Sequence, residues 1–276
     1  MSIITQTDSG SKKSHVELLH EAQLRKARHF RTNVSLSWGI MFLVLIYVFS
    51  GQRYLSIQLD YEFIQNNIVF ISRGLGETIR ISILSIILAT ALALLAALGR
   101  LSRIPPVYAL STFYVSLIRG TPLFLQIYFF FLALPQLGII LSGLWAGVIA
   151  LGLNYGAYMS EIFRAGLSAV GKGQREAAMA LGMTPSQTMR RIVLPQALRF
   201  AIPPIGNDFI AMTKDSALIS ATGFVHELTW QATKVGRATF HNLEALIMAA
   251  VFYWVMTIML TYVQGIIETR LSKGDR

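Results

Sequence analysis

Five stretches of the chain are almost wholly apolar, and each approaches or exceeds the length that a membrane-crossing helix needs. They lie at about 34–50, 76–99, 107–134, 144–165 and 244–267. A helix requires roughly 20 predominantly apolar residues to span the hydrocarbon core of a bilayer. Only 14% of the 276 residues are charged, whereas a soluble domain carries roughly 25%. The sequence therefore predicts an all-α polytopic membrane bundle and not a soluble domain.

A sixth span is predicted at about 205–227, although this stretch carries Asp208, Lys214 and Asp215. With six spans and a cytoplasmic N-terminus, the inner segments contain 16 lysines and arginines and the outer segments contain 4. Because basic residues accumulate in cytoplasmic loops, this bias places both termini in the cytoplasm. Omitting the weak span leaves a similar bias, so charge alone does not decide whether it crosses.

The N-terminal 33 residues are polar and basic, and the first apolar stretch follows them directly. A cleaved signal peptide has a shorter basic region and a small-residue cleavage site, so we interpret residues 34–71 as an uncleaved anchor with an outer loop. The expected organisation continues with a transport domain over 72–270 and a cytoplasmic tail over 271–276. The chain contains no cysteine, which excludes disulfides and thiolate metal sites.

The longest inner loop, about 166–206, begins with the pattern of a short helix. Residues 174–181 are strong helix formers, and Gly182 follows as a helix stop. Thr184 and Gln187 have the spacing of a capping box.

A second short helix is therefore predicted to begin at Pro185, which suits the first helical position. We expect it to end before Pro195, because proline disfavours helix in the residue ahead of it. One interpretation of the two helices is a docking element for a partner. The alternative is a connector that lies on anionic lipid through Arg190, Arg191 and Arg199.

The same loop resembles the signature loop of binding-protein-dependent ABC importer permeases. That signature reads Glu-Ala-Ala, three residues, Gly, nine residues, Ile-x-Leu-Pro. The matching residues are Glu176, Ala177, Ala178, Gly182, Ile192, Leu194 and Pro195. The resemblance implies that this loop is a coupling helix, which seats in a cleft of a separate ATPase subunit.

Further residues resemble the polar amino acid branch of that family, the histidine, glutamine and arginine type. They are Arg119 to Leu123 with Gln126, then Ala157-Tyr158, Glu161-Ile162, Arg164, Gly173-Gln174 and Lys214-Asp215. The family usually continues Thr-Ser-Leu after the last pair, whereas this chain has Ser216-Ala217-Leu218. The resemblance covers about residues 72–270 and supports the weak sixth span.

The resemblance implies a type I ABC importer transmembrane domain that works as a homo- or heterodimer. It implies an ABC ATPase dimer, an extracytoplasmic solute-binding protein, a polar amino acid or close analogue as solute, and the bacterial inner membrane. Gly166 to Lys172 has the spacing of a phosphate-binding loop, but Gly173 stands where magnesium binding needs Ser or Thr. We expect ATP and Mg²⁺ on the partner ATPase, and no cofactor, metal ligand or catalytic residue on this chain.

Ionisable residues at membrane depth are costly, so each is a functional hypothesis. Arg119 precedes Gly120 and Pro122, which should interrupt the helix. Broken helices line wet cavities in membrane proteins, so we expect Thr121 to face a solute pathway. The full set of candidate pathway residues is Arg119, Thr121, Gln126, Glu161, Asn207, Asp208, Lys214, Asp215 and Ser216.

Structural roles remain open for several of these charges. Glu161 is three residues from Arg164, and Glu77 is three residues from Arg80, so each carboxylate has a partner on its own helix face. Asp208, Lys214 and Asp215 either meet a zwitterionic solute or form an ion-pair set between helices. A secondary transporter driven by an ion gradient is the main rival function. A membrane enzyme is disfavoured because no paired metal ligands or nucleophile–base pair stand out.

Overall fold

The computed structural model of the protein describes residues 15–49 and 59–272, and these residues contain helices and no strand. The predicted all-α class is confirmed. The α-helices are α1 (His15–Phe49), α2 (Tyr61–Ser72), α3 (Gly74–Arg100), α4 (Pro105–Arg119), α5 (Leu123–Tyr128), α6 (Gly143–Ala169), α7 (Lys172–Ala180), α8 (Pro185–Thr188), α9 (Leu194–Asp215), α10 (Leu228–Thr239) and α11 (Asn242–Ser272). Wide π turns cover Phe129–Ala133 and Met189–Val193, and 3₁₀ turns cover Leu134–Leu137 and Ser216–Thr222.

Two compact units meet in sequence between Leu59 and Asp60. The described part of the first unit is α1, one helix that runs from the basic segment into the first apolar stretch without a break. The expected boundary at residues 33 and 34 therefore falls inside a helix. Residues 1–14, 50–58 and 273–276, which include parts of the predicted N-terminal segment, outer loop and tail, lie outside the described residues.

In the second unit, two helical stretches are long and apolar enough to cross a membrane, Tyr61–Arg100 and Asn242–Arg270. A third arises if Pro105–Arg119 and Leu123–Leu137, which are bent by 105°, count as one broken span. These stretches contain the apolar runs predicted at 76–99 and 244–267, and the broken pair covers most of the run predicted at 107–134.

The span predicted at 205–227 has the wrong limits. Helix α9 begins much earlier, at Leu194, and ends at Asp215, after which the chain tightens into a 3₁₀ turn that ends at Thr222. Gly223 then adopts a left-handed conformation with φ +78°, which releases the chain from the helix. Hydropathy misplaced the helix because the first half of α9 carries Arg199 and contains Pro203 and Pro204.

The main core is formed where α3, α6 and α9 pack together. Small side chains of α3, among them Ala89, Ala93 and Ala97, are fully buried there. Small residues let helix backbones approach where lipid supplies no hydrophobic drive for association. The approach of α6 to α9 is close enough that a Cβ on Gly166 would lie 2.9 Å from the carbonyl oxygen of Ala197.

A second core joins α2, α10 and α11. It is built around Phe63, Ile71 and Leu228. The fully buried Glu227 caps α10 by accepting hydrogen bonds from the backbone N–H groups of Thr229 at 2.8 Å and Trp230 at 2.6 Å. The hydroxyl of Tyr253 on α11 donates to the same carboxyl at 2.8 Å, so Glu227 ties the two helices together.

Candidate functional site

The break between α4 and α5 is held open by buried amide side chains. Gln126 is 6% exposed, and its Nε2 donates at 2.8 Å both to the carbonyl oxygen of Ile118 and to Oγ1 of Thr121. Asn154 on α6 donates in turn to Oε1 of Gln126 at 3.2 Å. Because a helix break frees backbone carbonyls that must find donors, this network stabilises the bend at Gly120 and Pro122.

The bend opens a cavity of about 570 Å³ between α4, α6 and α9. This volume lies within the range of small-molecule sites in proteins. Polar and charged groups from all three helices line it together with apolar side chains. The lining residues are Arg119, Gly120, Thr121, Pro122, Leu123, Asn154, Tyr155, Tyr158, Asp208, Ala211 and Asp215.

The cavity presents both signs of charge. Asp215 accepts a hydrogen bond from the hydroxyl of Tyr155 at 2.8 Å. Oδ2 of Asp208 is buried and accepts no hydrogen bond from any residue that the structure describes. On the other side the guanidinium of Arg119 lies over the ring of Tyr158, 5.1 Å from its centroid. Two carboxyl groups and one guanidinium therefore share a single cavity, as the charged ends of a zwitterion require.

Glu161 lies behind Arg119 and contacts three arginines. Its Oε1 is 2.5 Å from Nη1 of Arg100 on α3 and 3.3 Å from Nη1 of Arg119 on α4. Its Oε2 accepts from Nε of Arg164 at 2.9 Å, three residues further along α6. The predicted pairing of Glu161 with Arg164 is confirmed, and the structure adds two partners from other helices that the sequence did not reveal.

Several predicted pathway residues lie outside the cavity lining. Gln126 supports the bend, and Glu161 contacts Arg119. Asn207 is exposed and accepts from Nε2 of Gln264 at 3.1 Å. Lys214 is exposed, whereas Ser216 is buried and donates to the carbonyl oxygen of Thr213 at 2.8 Å.

The predicted ion-pair set on α9 does not form within the described part of the chain. No ion pair there links Lys214 to Asp208 or Asp215. The exposed pair Glu77 and Arg80 does form, with 3.4 Å between Oε2 and Nη1.

The polar lining residues of α6 were not among the predicted pathway residues: Asn154, Tyr155 and Tyr158. They are neutral, and the criterion of an ionisable group at membrane depth therefore does not select them. Their spacing was nevertheless visible in the sequence, because residues 154, 155, 158 and 161 recur at helical intervals on neighbouring positions of one face. Polar residues with that period inside an apolar helix indicate a surface that meets water or solute.

The second candidate site is the loop over residues 170–193, which we call the coupling loop. Helix α7 ends at Ala180, and Gly182 turns the chain with φ +78°. Thr184 then forms the predicted capping box. Its hydroxyl accepts from the backbone N–H of Gln187 at 3.3 Å, and its own backbone N–H donates to Oε1 of Gln187 at 2.9 Å. The short helix α7, the tight turn at Gly182 and the start of a second helix at Pro185 are confirmed.

The expected end of the second helix before Pro195 is wrong. The chain passes through the π turn at Met189–Val193 and continues directly into α9, with Leu194 in helical conformation. A proline ring collides with the carbonyl four residues earlier in a regular α-helix, and the wider π turn just ahead of Pro195 changes that geometry. Nε2 of Gln196 donates to the carbonyl oxygen of Ile192 at 2.9 Å and so satisfies a backbone group next to the turn.

The signature residues divide between a buried base and an exposed tip. Ala178 is 4% exposed and packs inward, whereas Glu176 and Ala177 face outward. Beside them Met179 and Leu181 are 53% and 83% exposed. The base is anchored by the core that Val193 shares with α6 and α9. Exposed apolar side chains on an ordered, anchored loop are typical of a protein-binding surface.

A helical membrane protein with a polar cavity beside a broken helix and an ordered loop at its surface belongs, by architecture, to the transport permeases. The comparison with known families makes this specific. Residues 89–273 match the family described as binding-protein-dependent transport system inner membrane component. The chain belongs to this family and is a permease subunit of an ABC importer.

Relatives and solved structures agree with this assignment. The chain is 39% identical over 218 residues to the arginine transport system permease protein ArtQ of Bacillus subtilis, which covers 79% of this chain and 99% of that protein. It is 41% identical over 204 residues to the L-cystine transport system permease protein TcyB of the same organism, covering 74% and 87%. The crystal structure of an amino acid ABC transporter with histidines superposes with a TM-score of 0.73 at 36% identity, covering 78% of this chain and 100% of that one.

Proposed function

We propose that this permease imports a polar amino acid through the cavity between α4, α6 and α9. The observation that carries the proposal is the lining of that cavity, which combines Asp208 and Asp215 with Arg119. The relatives are named as permeases for arginine, cystine and glutamine, and these solutes share an α-ammonium and an α-carboxylate group. In the proposed complex, the carboxyl groups of Asp208 and Asp215 face the ammonium group of the solute, because both residues line the cavity.

In this proposal the chain has no ATPase site and binds no cofactor. ATP and Mg²⁺ are held by a partner ATPase dimer, and a binding protein delivers the solute from outside. Two permease chains, identical or different, form the pathway in the bacterial inner membrane, with both termini in the cytoplasm. The exposed tip of the coupling loop, with Met179 and Leu181, docks on the ATPase. Closure of the ATPases then changes the relative stability of the outward-open and inward-open states.

The coupling role is tested by changing the turn that presents the tip. Because Gly182 has φ +78°, a β-branched side chain there is strained by roughly 1–2 kcal/mol, and Gly182→Val should reorient the tip. Gly173→Val is the matched control, since that glycine lies in the same loop, has open space at its Cβ position and no positive φ. The tagged chain is purified in mild detergent, and copurifying ATPase and its hydrolysis rate are measured.

We expect an ATPase subunit to copurify with the native chain and the Gly173→Val variant, and to be lost or uncoupled in Gly182→Val. The complex is then reconstituted with its binding protein and supplied with labelled arginine, cystine, glutamine and histidine. ATP-dependent uptake of one of them supports the proposal. A native preparation without ATPase that still moves solute down an ion gradient would establish the rival, a secondary transporter.

A further inference from the structure

The three arginines around Glu161 are held unequally. Arg100 and Arg164 lie 2.5 and 2.9 Å from the carboxylate, whereas Arg119 lies 3.3 Å from it. Arg100 is 20% exposed, whereas Arg119 and Arg164 are 42% and 43% exposed. By its distance from the carboxylate, Arg119 is the most loosely held of the three partners.

The charges of this cluster do not balance. One carboxylate faces three guanidinium groups, so two positive charges remain uncompensated among the residues described around Glu161. Arg119 alone among the three also lines the cavity. Arg119 thus brings a guanidinium from this positively charged cluster to the cavity wall, and a guanidinium binds a carboxylate through a planar pair of donors.

We infer that Arg119 binds the α-carboxylate of the solute and that Glu161 competes with the solute for it. This inference rests on the proposed function. In the structure, Glu161 and the ring of Tyr158 hold the guanidinium of Arg119 in position. When an amino acid enters, its carboxylate binds Arg119 in place of Glu161, and Glu161 remains paired with Arg100 and Arg164.

The exchange has a structural consequence, because the contact between Arg119 and Glu161 joins the end of α4 to α6. The contact between Arg100 and Glu161 joins α3 to α6 and does not depend on the cavity. Occupation of the cavity therefore breaks this ion pair between α4 and α6, whereas the hydrogen bond from the hydroxyl of Tyr114 on α4 to the carbonyl oxygen of Leu153 on α6 is unaffected. Glu161 is a positioning residue in this scheme, since it acts on the solute only through Arg119.

The inference is tested by equilibrium binding to the purified permease–ATPase complex in nanodiscs, without the binding protein. The probe pair is chosen by the uptake panel and consists of an amino acid and its carboxyl-free analogue: L-arginine with agmatine, L-cystine with cystamine, L-glutamine with 4-aminobutanamide, or L-histidine with histamine. The Glu161→Gln variant should bind the amino acid about 2- to 5-fold more tightly, which corresponds to the modest strength of a partly exposed ion pair. It should bind the carboxyl-free analogue as the native protein does.

Three further variants separate this effect from a general loosening of the helices. Arg119→Gln should weaken binding of the amino acid by at least about fivefold and leave the analogue unaffected. The double variant Glu161→Gln with Arg119→Gln should not show the tighter binding of the amino acid that Glu161→Gln alone produces. Arg164→Gln is the matched control, because it removes another partner of Glu161 that does not line the cavity, and it should produce no gain.

Each outcome supports or overturns the inference. A Glu161→Gln variant that loses affinity for both probes, or gains it equally for both, shows a structural role and overturns the inference. So does a gain that persists in the double variant. If the native complex takes up none of the four amino acids, the proposed function is refuted, and the inference that rests on it is refuted as well. If the complex takes up an amino acid but the variants give a contrary result, only the inference is refuted.

Discussion

Replacing Gln126 by methionine removes the amide that spans the helix break while keeping nearly the same side-chain volume. The loss leaves the carbonyl oxygen of Ile118 and the amide of Asn154 without the partners that they have at 2.8 and 3.2 Å. Asn154 is only 7% exposed, so water does not readily replace Gln126. Each buried group left unpaired costs about 1–3 kcal/mol. We expect a total of about 2–4 kcal/mol, because the carbonyl oxygen of Ile118 keeps longer hydrogen bonds from the hydroxyl and the backbone N–H of Thr121 at 3.4 and 3.5 Å.

The measurement is thermal unfolding of the purified complex in detergent. For a chain of this size, about 1 kcal/mol shifts the unfolding temperature by roughly 2–4 °C, so Gln126→Met should lower it by roughly 4–16 °C. Gln65→Met is the matched control, because Gln65 is exposed on α2 and should shift the temperature little. Uptake should fall in parallel, since Thr121 sits on the loosened segment and lines the cavity.

A result in which Gln126→Met unfolds at the native temperature would refute this reasoning. It would mean that the bend is stabilised by the packing of α4 and α5 and not by the amide network. A variant that is destabilised as expected but retains native uptake would separate the two roles. The network would then be structural, and the cavity would not depend on the fixed position of Thr121.

Three other changes test separate parts of the structure. Thr184→Ala removes the capping box and should speed amide hydrogen exchange over residues 186–188 by about fivefold, a loss of about 1 kcal/mol, whereas Ser186→Ala should leave exchange unchanged. Gly166→Val places a side chain against the carbonyl of Ala197, 2.9 Å from the Cβ position, and should cost about 1–3 kcal/mol of stability; an unchanged unfolding temperature would contradict the close approach. Burial raises the pKa of Glu227 above its ordinary value of 4.5, so the folded state holds this proton more firmly than the unfolded state. Its contribution to stability is present below pH 4.5 and declines as the pH rises through the folded pKa; Glu227→Gln should abolish that part of the pH dependence of unfolding, and an unaltered profile would contradict it.

Local features of the coupling loop could be predicted closely from the sequence. The turn at Gly182 and the capping box of Thr184 involve residues within a few positions of each other, so their geometry depends on backbone preferences that the sequence states directly. The end of the second helix could not be predicted in the same way. Pro195 favours a helix end, but the packed base around Val193 and the π turn ahead of it keep the chain helical.

Among the charged residues too, some features could be predicted from the sequence and others could not. That Arg119 lies beside a broken helix followed from the sequence, because Gly120 and Pro122 come directly after it. The sequence also placed Asp208 in a helix. Which charges share a cavity did not follow. Glu161 and Arg100 are 61 residues apart and meet only because α3 packs against α6, and Lys214 points away although it adjoins Asp215 in sequence.

The sequence by itself determined the membrane class, the family and the signature loop, because these depend on composition and on motifs with short, fixed spacing. The tertiary structure alone decided that Tyr155, Tyr158 and Asn154 face the cavity and that Glu161 holds three arginines. It also decided that α9 ends at Asp215. The physical reason is that a side chain acquires its partners from helices distant in sequence, and the packing of small residues such as Gly166 sets how closely those helices approach.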